Sequence, residues 1–175
     1  MPLKHNNLFL IGPMGAGKTT IGKQLARQLQ LTFMDVDHVL VERTGADIPT
    51  IFEYEGEQGF RQRETRLLEE LTQQTGLLLA TGGGAVLREE NHLLLQNNGT
   101  IIYLKADPKL QLARIGKDKN RPLLQTDNPL TTLENLQLER EFLYLQLCDF
   151  SFDTRTHTVN SLLELIMSQL NEHVS

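Results

Sequence analysis

Short apolar runs that end on glycine or an acidic residue punctuate this chain. Leu8-Phe9-Leu10-Ile11 stops at Gly12, and Leu77-Leu78-Leu79-Ala80 leads to Gly82-Gly83-Gly84. Runs this short suit strands buried on both faces better than helices. Phe33-Met34, Thr100-Ile101-Ile102-Tyr103-Leu104 and Phe150–Asp153 bring the expected strands to five. Helical spacing fills the intervals. Ile21, Leu25, Ala26 and Leu29 recur between Thr19 and about Gln30, and a helix over about His38–Thr44 ends at Gly45. Asp47 caps a further short helix with Pro49 in its first turn. Glu57 to Thr75 is rich in strong helix formers, with Gly76 as its stop. Further helices are predicted over Glu89–Gln96, from Asp107-Pro108 onward, over Leu130–Leu147 and over Ser161–Asn171. The polar, aperiodic stretch 116–129, with Pro122 and Pro129, reads as a mobile loop. Strands alternating with helices, and no hairpin signals, imply an α/β chain with a parallel sheet covered on both faces. No linker, repeat or low-complexity segment divides residues 1–175, so a single domain is expected.

Composition narrows the function classes. The chain has 175 residues, 39% of them hydrophobic and 22% charged, which argues against global disorder. Its net charge is −5, so it lacks the general attraction that non-specific nucleic-acid binding needs. An anionic ligand must then be held by local cations and backbone N–H groups. Cys148 has no partner for an intramolecular disulfide, and no signal-peptide core or apolar run of about 18 residues is present. A soluble cytoplasmic protein with no membrane and no nucleic-acid partner is expected. The five histidines are scattered, without zinc spacing, and seven Phe and three Tyr without Trp read as core filling.

One motif identifies a ligand class. Gly12-Pro13-Met14-Gly15-Ala16-Gly17-Lys18-Thr19 fits G-x-x-x-x-G-K-[ST] between the first strand and the first helix, as a phosphate-binding P-loop requires. Successive N–H groups and the helix N-terminus favour an anion. Lys18 can reach β- and γ-phosphates, and the Thr19 hydroxyl can ligate Mg²⁺. A P-loop alone fits a kinase, a switch or a motor. Asp35-Val36-Asp37 stands at the end of strand two, where open α/β sheets place their crevice. Read as extended chain, both carboxylates point one way, one suited to Mg²⁺ and one to an acceptor hydroxyl; the alternative is that one of them caps the next helix. Arg61, Arg63 and Arg66 crowd a helix start, and most of them should be solvated, but Arg61 follows Phe60 near the crevice and could fork a carboxylate. Gly82-Gly83-Gly84 allows close approach of a substrate, or else is a plain turn. Arg121, before Pro122-Leu123-Leu124, is placed as a lid arginine that closes on a transferring phosphoryl group.

Together these residues resemble the shikimate kinase family over nearly the whole chain. The similarity runs through the P-loop with Thr20-Ile21-Gly22, Asp35-Val36-Asp37, Glu42 to Ile48, Phe60-Arg61-Gln62-Arg63-Glu64, Gly82 to Val86, Arg121-Pro122-Leu123-Leu124, and Arg140 with Leu143-Tyr144. The resemblance implies a three-layer α/β/α P-loop kinase fold, similar to nucleoside monophosphate kinases, with strand order 2-3-1-4-5. It implies transfer of the ATP γ-phosphoryl group to the 3-hydroxyl of shikimate, in aromatic amino-acid synthesis through chorismate. It also implies ATP contacts from Gly15, Ala16, Gly17, Lys18, Thr19, Thr20, Arg114 and Arg121, and Mg²⁺ at Thr19 and, through water, Asp35. Asp37, Arg61, Gly83, Gly84 and Arg140 would hold shikimate, with Lys18, Asp37 and Arg121 catalytic. The acceptor segment would span about 36–66 and the lid about 116–129, in a monomer.

Two departures from the family pattern stand out. Thr154-Arg155-Thr156-His157-Thr158-Val159 replaces a segment in which many relatives carry proline near adenine, which leaves the base contacts open, any from Arg155 included. Cys148 stands where a small residue is common, as an inert thiol. Which of Lys117, Asp118 or Lys119 meets a ligand is open too. Another small-metabolite kinase, such as a gluconate kinase, or a non-enzymatic nucleotide switch are the alternatives; no Asn-Lys-x-Asp segment for guanine occurs.

Overall fold

The structure, a computed structural model, describes residues 3–116 and 118–172, without the side chain of His5. Lys117 and His173 therefore lie outside the described residues. Five strands alternate with helices: β1 (Leu8–Ile11), α1 (Lys18–Leu29), β2 (Thr32–Asp35), α2 (Val36–Thr44), α3 (Ile48–Leu71) and β3 (Leu77–Ala80). Then follow α4 (Glu89–Asn98), β4 (Thr100–Lys105), α5 (Pro108–Ile115), α6 (Pro129–Leu147), β5 (Phe150–Asp153) and α7 (Val159–Glu172). The strands form one parallel sheet in the order β2-β3-β1-β4-β5, as expected.

Alternation within the short strands sorts side chains into two cores. Leu8 and Leu10 of β1 join Leu78, Ile102 and Leu104, and pack with Ile21 and Leu25 of α1 and Leu162 and Ile166 of α7. Phe9 and Ile11 point the other way, with Leu79, Ile101 and Tyr103, onto Leu40, Leu68, Leu95 and Tyr144 from α2, α3, α4 and α6. This is the three-layer α/β/α architecture. The central strand β1 is fully buried, so it reads as an uninterrupted apolar run. Asn7, also fully buried, ties the non-site end of the sheet together. Its amide donates to the carbonyls of Gln74 (2.7 Å) and Asn98 (3.0 Å), and its Oδ1 accepts from Leu77 N–H (2.9 Å).

One boundary is corrected. The short helix after Asp47 and the long one from Glu57 are both present, joined as α3 across a break at Gly56, whose non-helical φ of 69° lies where residues with a Cβ are strained. That element ends at Leu71, not at Thr75. Thr72 Oγ1 turns back to the Leu68 carbonyl (2.7 Å), while Asn7 takes the Gln74 carbonyl and Thr32 N–H takes that of Gly76 (2.8 Å). Partners outside the helix thus draw the chain into β3. The stretch 116–129 holds a 3₁₀ turn at Pro122–Leu124 that buries Leu124, and α6 starts at Pro129 under an Asn128 cap.

Candidate active site

The carboxyl ends of β1, β2 and β3 open onto one crevice, and the chain bends there three times. After β1 the loop 12–17 wraps to the N-terminus of α1, where Gly17 is in the left-handed region (φ 90°). Lys18 Nζ folds over this loop and donates to the carbonyls of Gly12 (2.6 Å) and Pro13 (2.9 Å). Burial, and then the nearby Arg121 charge, lower its pKa to about 8. A cavity of about 200 Å³ lies above the loop, lined by Gly15, Ala16, Gly17, Lys18, Thr19, Thr20, Asp35, Asp37, Gly82, Gly83 and Arg121.

Asp35 and Asp37 reach this cavity by a different route from the one expected. Asp35 ends β2 and caps α2, accepting from His38 N–H at 3.1 Å, while Asp37 already lies in the first helical turn. The extended-chain spacing therefore does not apply. Asp35 is thus the helix cap that the sequence held as the alternative, and its Oδ2 also accepts from the Thr19 hydroxyl at 2.8 Å. These two hard oxygen donors fit Mg²⁺, whose remaining ligands are ordinarily phosphate oxygens and water. Among the described residues no group of three or more His, Cys, Asp or Glu side chains forms a metal cage.

Asp37 lines this cavity and the one beside it. Its Oδ1 is sheltered and has no hydrogen-bond partner, and burial followed by the Asp35 charge raises its pKa. Next to it stands a carboxylate that the sequence did not single out. Glu64 is fully buried on α3, its Oε1 takes a hydrogen bond from Arg61 Nη1 (3.0 Å), and its Oε2 has no partner. Burial lifts its pKa to about 7 against the opposing pull of Arg61. A Cβ placed on Gly82 would lie 2.8 Å from Glu64 Oε2 and 3.0 Å from Asp37 Oδ1, so both orphan oxygens converge on that glycine. The one available signal was that Glu64 stands four residues after Phe60 and three after Arg61, on the same helical face.

Of the three clustered arginines only Arg61 is buried; Arg66 is exposed, and Arg63 is exposed and paired with Glu55 (2.6 Å). The Arg61 guanidinium packs on the backbone of Gly84, so closely that a Cβ there would lie 2.2 Å from Nη2. Arg140 from α6 is buried too, with an unpartnered Nε, and its Nη1 lies 3.5 Å from where a Gly83 Cβ would be. The Tyr144 hydroxyl donates to the Gly83 carbonyl at 2.6 Å. Arg61, Gly83, Gly84 and Arg140, with Asp37, Phe52, Asn120, Arg121 and Leu123, line a second cavity of about 60 Å³ that meets the first along Asp37, Gly82, Gly83 and Arg121. Arg121 Nε stands 3.5 Å from Asp118.

On the far side of the P-loop lies a third cavity, of about 310 Å³, lined by Gly15, Gly17, Thr20, Ile21, Arg114, Thr154, His157, Thr158, Val159 and Leu162. Arg114 Nη1 donates to the Gly15 carbonyl (3.0 Å) and the Thr154 hydroxyl (3.1 Å). Arg155 turns to solvent and pairs with Asp153 and Asp107. Cys148 donates weakly to the Leu145 carbonyl, and burial raises its thiol pKa, in keeping with an inert group.

Known proteins are similar to this chain in sequence and fold. The family model for shikimate kinase matches residues 14–171. A shikimate kinase of Burkholderia lata is 52% identical over 166 residues, covering 95% of this chain and 90% of that one. One from Vibrio campbellii is 50% identical over 169 residues, covering 97% and 98%. The solved shikimate kinase of Acinetobacter baumannii in complex with shikimate superposes with a TM-score of 0.93 at 45% identity, covering 96% and 94%. A deoxyadenosine kinase of M. mycoides, at 19% identity and a TM-score of 0.63 over 95% and 98% of the two chains, shares the fold alone. The chain belongs to the shikimate kinase family.

Proposed function

We propose that this chain transfers the γ-phosphoryl group of ATP to the 3-hydroxyl of shikimate, giving shikimate 3-phosphate for chorismate and aromatic amino-acid synthesis. The observation that carries this reading is a pair of adjoining cavities that share Asp37, Gly82, Gly83 and Arg121 in their lining. The P-loop with Lys18 lines the first, and Arg61 and Arg140 against Gly83 and Gly84 line the second. A small polyhydroxylated carboxylate suits those groups: two guanidinium forks for the acid and an aspartate for a hydroxyl. The relative solved with shikimate supports the same acceptor.

The chemistry follows from placement. Gly15, Ala16, Gly17 and Thr20 offer N–H groups and a helix N-terminus to the triphosphate, and Arg114 borders the cavity that would take the base. Thr19 and Asp35 would hold Mg²⁺, which when bound offsets phosphate charge. Asp37, with a raised pKa, takes the proton of the 3-hydroxyl as that oxygen bonds to the γ-phosphorus and the bond to ADP breaks. Lys18 and Arg121 stabilise charge on the transferring group. In this reading 36–66 is the acceptor segment and 116–129 the lid of one kinase domain. Every contact comes from one chain, so a monomer suffices. The substrates are small molecules, and neither nucleic acid nor membrane has a part. No helix among the described residues is long and apolar enough to cross a membrane; the cytoplasm, where ATP is made available, is the proposed location.

The test is coupled ADP release with ATP and Mg²⁺, comparing shikimate, gluconate and no acceptor. Release that depends on shikimate is expected. Equal slow release in all three would overturn the reading.

A further inference from the structure

Arg140 and Tyr144 stand one helical turn apart on the inward face of α6, and both reach the triple glycine. Their tasks differ. Arg140 presents charge to the cavity, whereas the Tyr144 hydroxyl reaches beneath it to the Gly83 carbonyl. That carbonyl belongs to the same peptide as the Gly84 N–H, and in a trans peptide the two point in opposite directions. Fixing one fixes the other. Among the described residues neither the Gly83 nor the Gly84 N–H makes a hydrogen bond, so both are free to serve an anion.

Between two glycines this peptide has no Cβ to keep it from flipping. A flip would turn a carbonyl oxygen toward the anion and the N–H away from it. The flanking segment is also held from the α4 side. Asn91, fully buried, donates to the Ala85 carbonyl at 2.8 Å, and His92 Nε2 meets the Val86 carbonyl at 2.5 Å. Among the described residues only Tyr144 holds the 83–84 peptide itself. Its ring is buried and stacked on Tyr103, with centroids 4.9 Å apart and planes inclined by 24°, so the hydroxyl has little freedom to leave. Burial raises the phenol pKa to about 12, which keeps it a donor.

We propose that Tyr144 is a positioning residue for the acceptor: its hydroxyl locks the Gly83–Gly84 peptide with the Gly84 N–H directed away from α6, toward the acceptor carboxylate. The inference rests on the shikimate kinase reading above. The test is Tyr144→Phe, which keeps the ring stack and removes both the donation to Gly83 and the contact with the Arg140 guanidinium, so that restoring the donor alone separates the two, with Tyr103→Phe as the control that removes a hydroxyl from the same stack without touching Gly83. Tyr144→Phe should raise the KM for shikimate about tenfold, as expected for one lost hydrogen bond to a sheltered carbonyl. The KM for ATP should stay within twofold, and Tyr103→Phe should leave both unchanged. Replacement of Tyr144 by para-aminophenylalanine, which restores a donor, should recover the shikimate KM. A shikimate KM within twofold of wild type in Tyr144→Phe, or an equal rise in both KM values, overturns the proposal and leaves the kinase reading intact. Wild-type protein with no shikimate-dependent turnover overturns both. Should Tyr144→Phe not fold, hydrogen exchange of the Tyr144 hydroxyl in wild type decides: at least tenfold slowing on shikimate binding supports the lock, and an unchanged rate overturns it.

Discussion

Gly84→Ala isolates the acceptor wall with a single methyl group. Gly84 has φ −94° and ψ 5°, which alanine adopts, so the backbone is not what suffers. The added Cβ would lie 2.2 Å from Arg61 Nη2, 2.4 Å from Cζ and 2.6 Å from Nη1, closer than atoms can pack. The guanidinium is the end of a flexible side chain, so it swings out of the cavity and the fold yields little. Glu64 then loses its partner at 3.0 Å, but with a pKa already near 7 it takes up a proton and does not remain a bare buried charge. The stability loss should therefore be only about 1–2 kcal/mol, that of a buried group left unsatisfied. Acceptor binding fares worse. A hydrogen bond to a charged group contributes about 1.5–3 kcal/mol, so the KM for shikimate should rise about 10- to 150-fold. ATP affinity, set at the opposite wall, should hold within twofold. Steady-state kinetics in each substrate, with a thermal melt alongside, measures all three quantities, and Arg61→Ala should give the same pattern. A shikimate KM within threefold of wild type in Gly84→Ala would refute the packing argument, and an equal loss of ATP affinity would refute the division of walls.

Three further outcomes follow from the same site. Asp37→Asn should lower turnover at least about 100-fold, the low end for a general base, with both KM values little changed; near-normal turnover removes Asp37 from the proton transfer. The raised Glu64 pKa gives a signed pH effect. Below about pH 4.5 the folded and unfolded states both carry its proton, and as pH rises toward 7 only the unfolded chain ionises, so stability falls across that window. The wild type minus Glu64→Gln difference in unfolding free energy should drop by up to about 3 kcal/mol between pH 4.5 and 7.5, and denaturant titrations that keep this difference flat contradict the assignment. Gly22→Ala should unsettle the fold and leave the site alone, because its Cβ would lie 2.6 Å from the ring of Phe33 between α1 and β2. A cost of about 1–3 kcal/mol is expected, with both KM values unchanged in the protein that remains folded.

The sequence was most legible where local chemistry and tertiary structure agree. β1 and β3 are central parallel strands, so Leu8–Ile11 and Leu77–Ala80 declare themselves as apolar runs, and the P-loop follows from its glycines and Lys18. It was least legible where distant partners decide. The end of α3 depends on Asn7 and Thr32, which take carbonyls at Gln74 and Gly76 from far back in the chain, so strong helix formers up to Thr75 pointed past it. Asp37 reached the cavity from a helical turn that the extended reading did not foresee. Glu64 and Tyr144 fell within motifs that the sequence showed, but their local chemistry gave neither a role. A glutamate in a charged helix reads as solvated, and a tyrosine beside leucine reads as core, until burial and the Gly83 carbonyl show otherwise. Aromatic core filling also had exceptions, since Tyr54 and Phe142 are exposed.

A crystal structure of this chain with ADP, Mg²⁺ and shikimate examines the whole account at once. The acid group should lie between the guanidinium groups of Arg61 and Arg140, beside the Gly84 N–H, with a ring hydroxyl within hydrogen-bond reach of Asp37 Oδ1. Shikimate bound elsewhere, or reversed with its acid group toward Asp37, would contradict it.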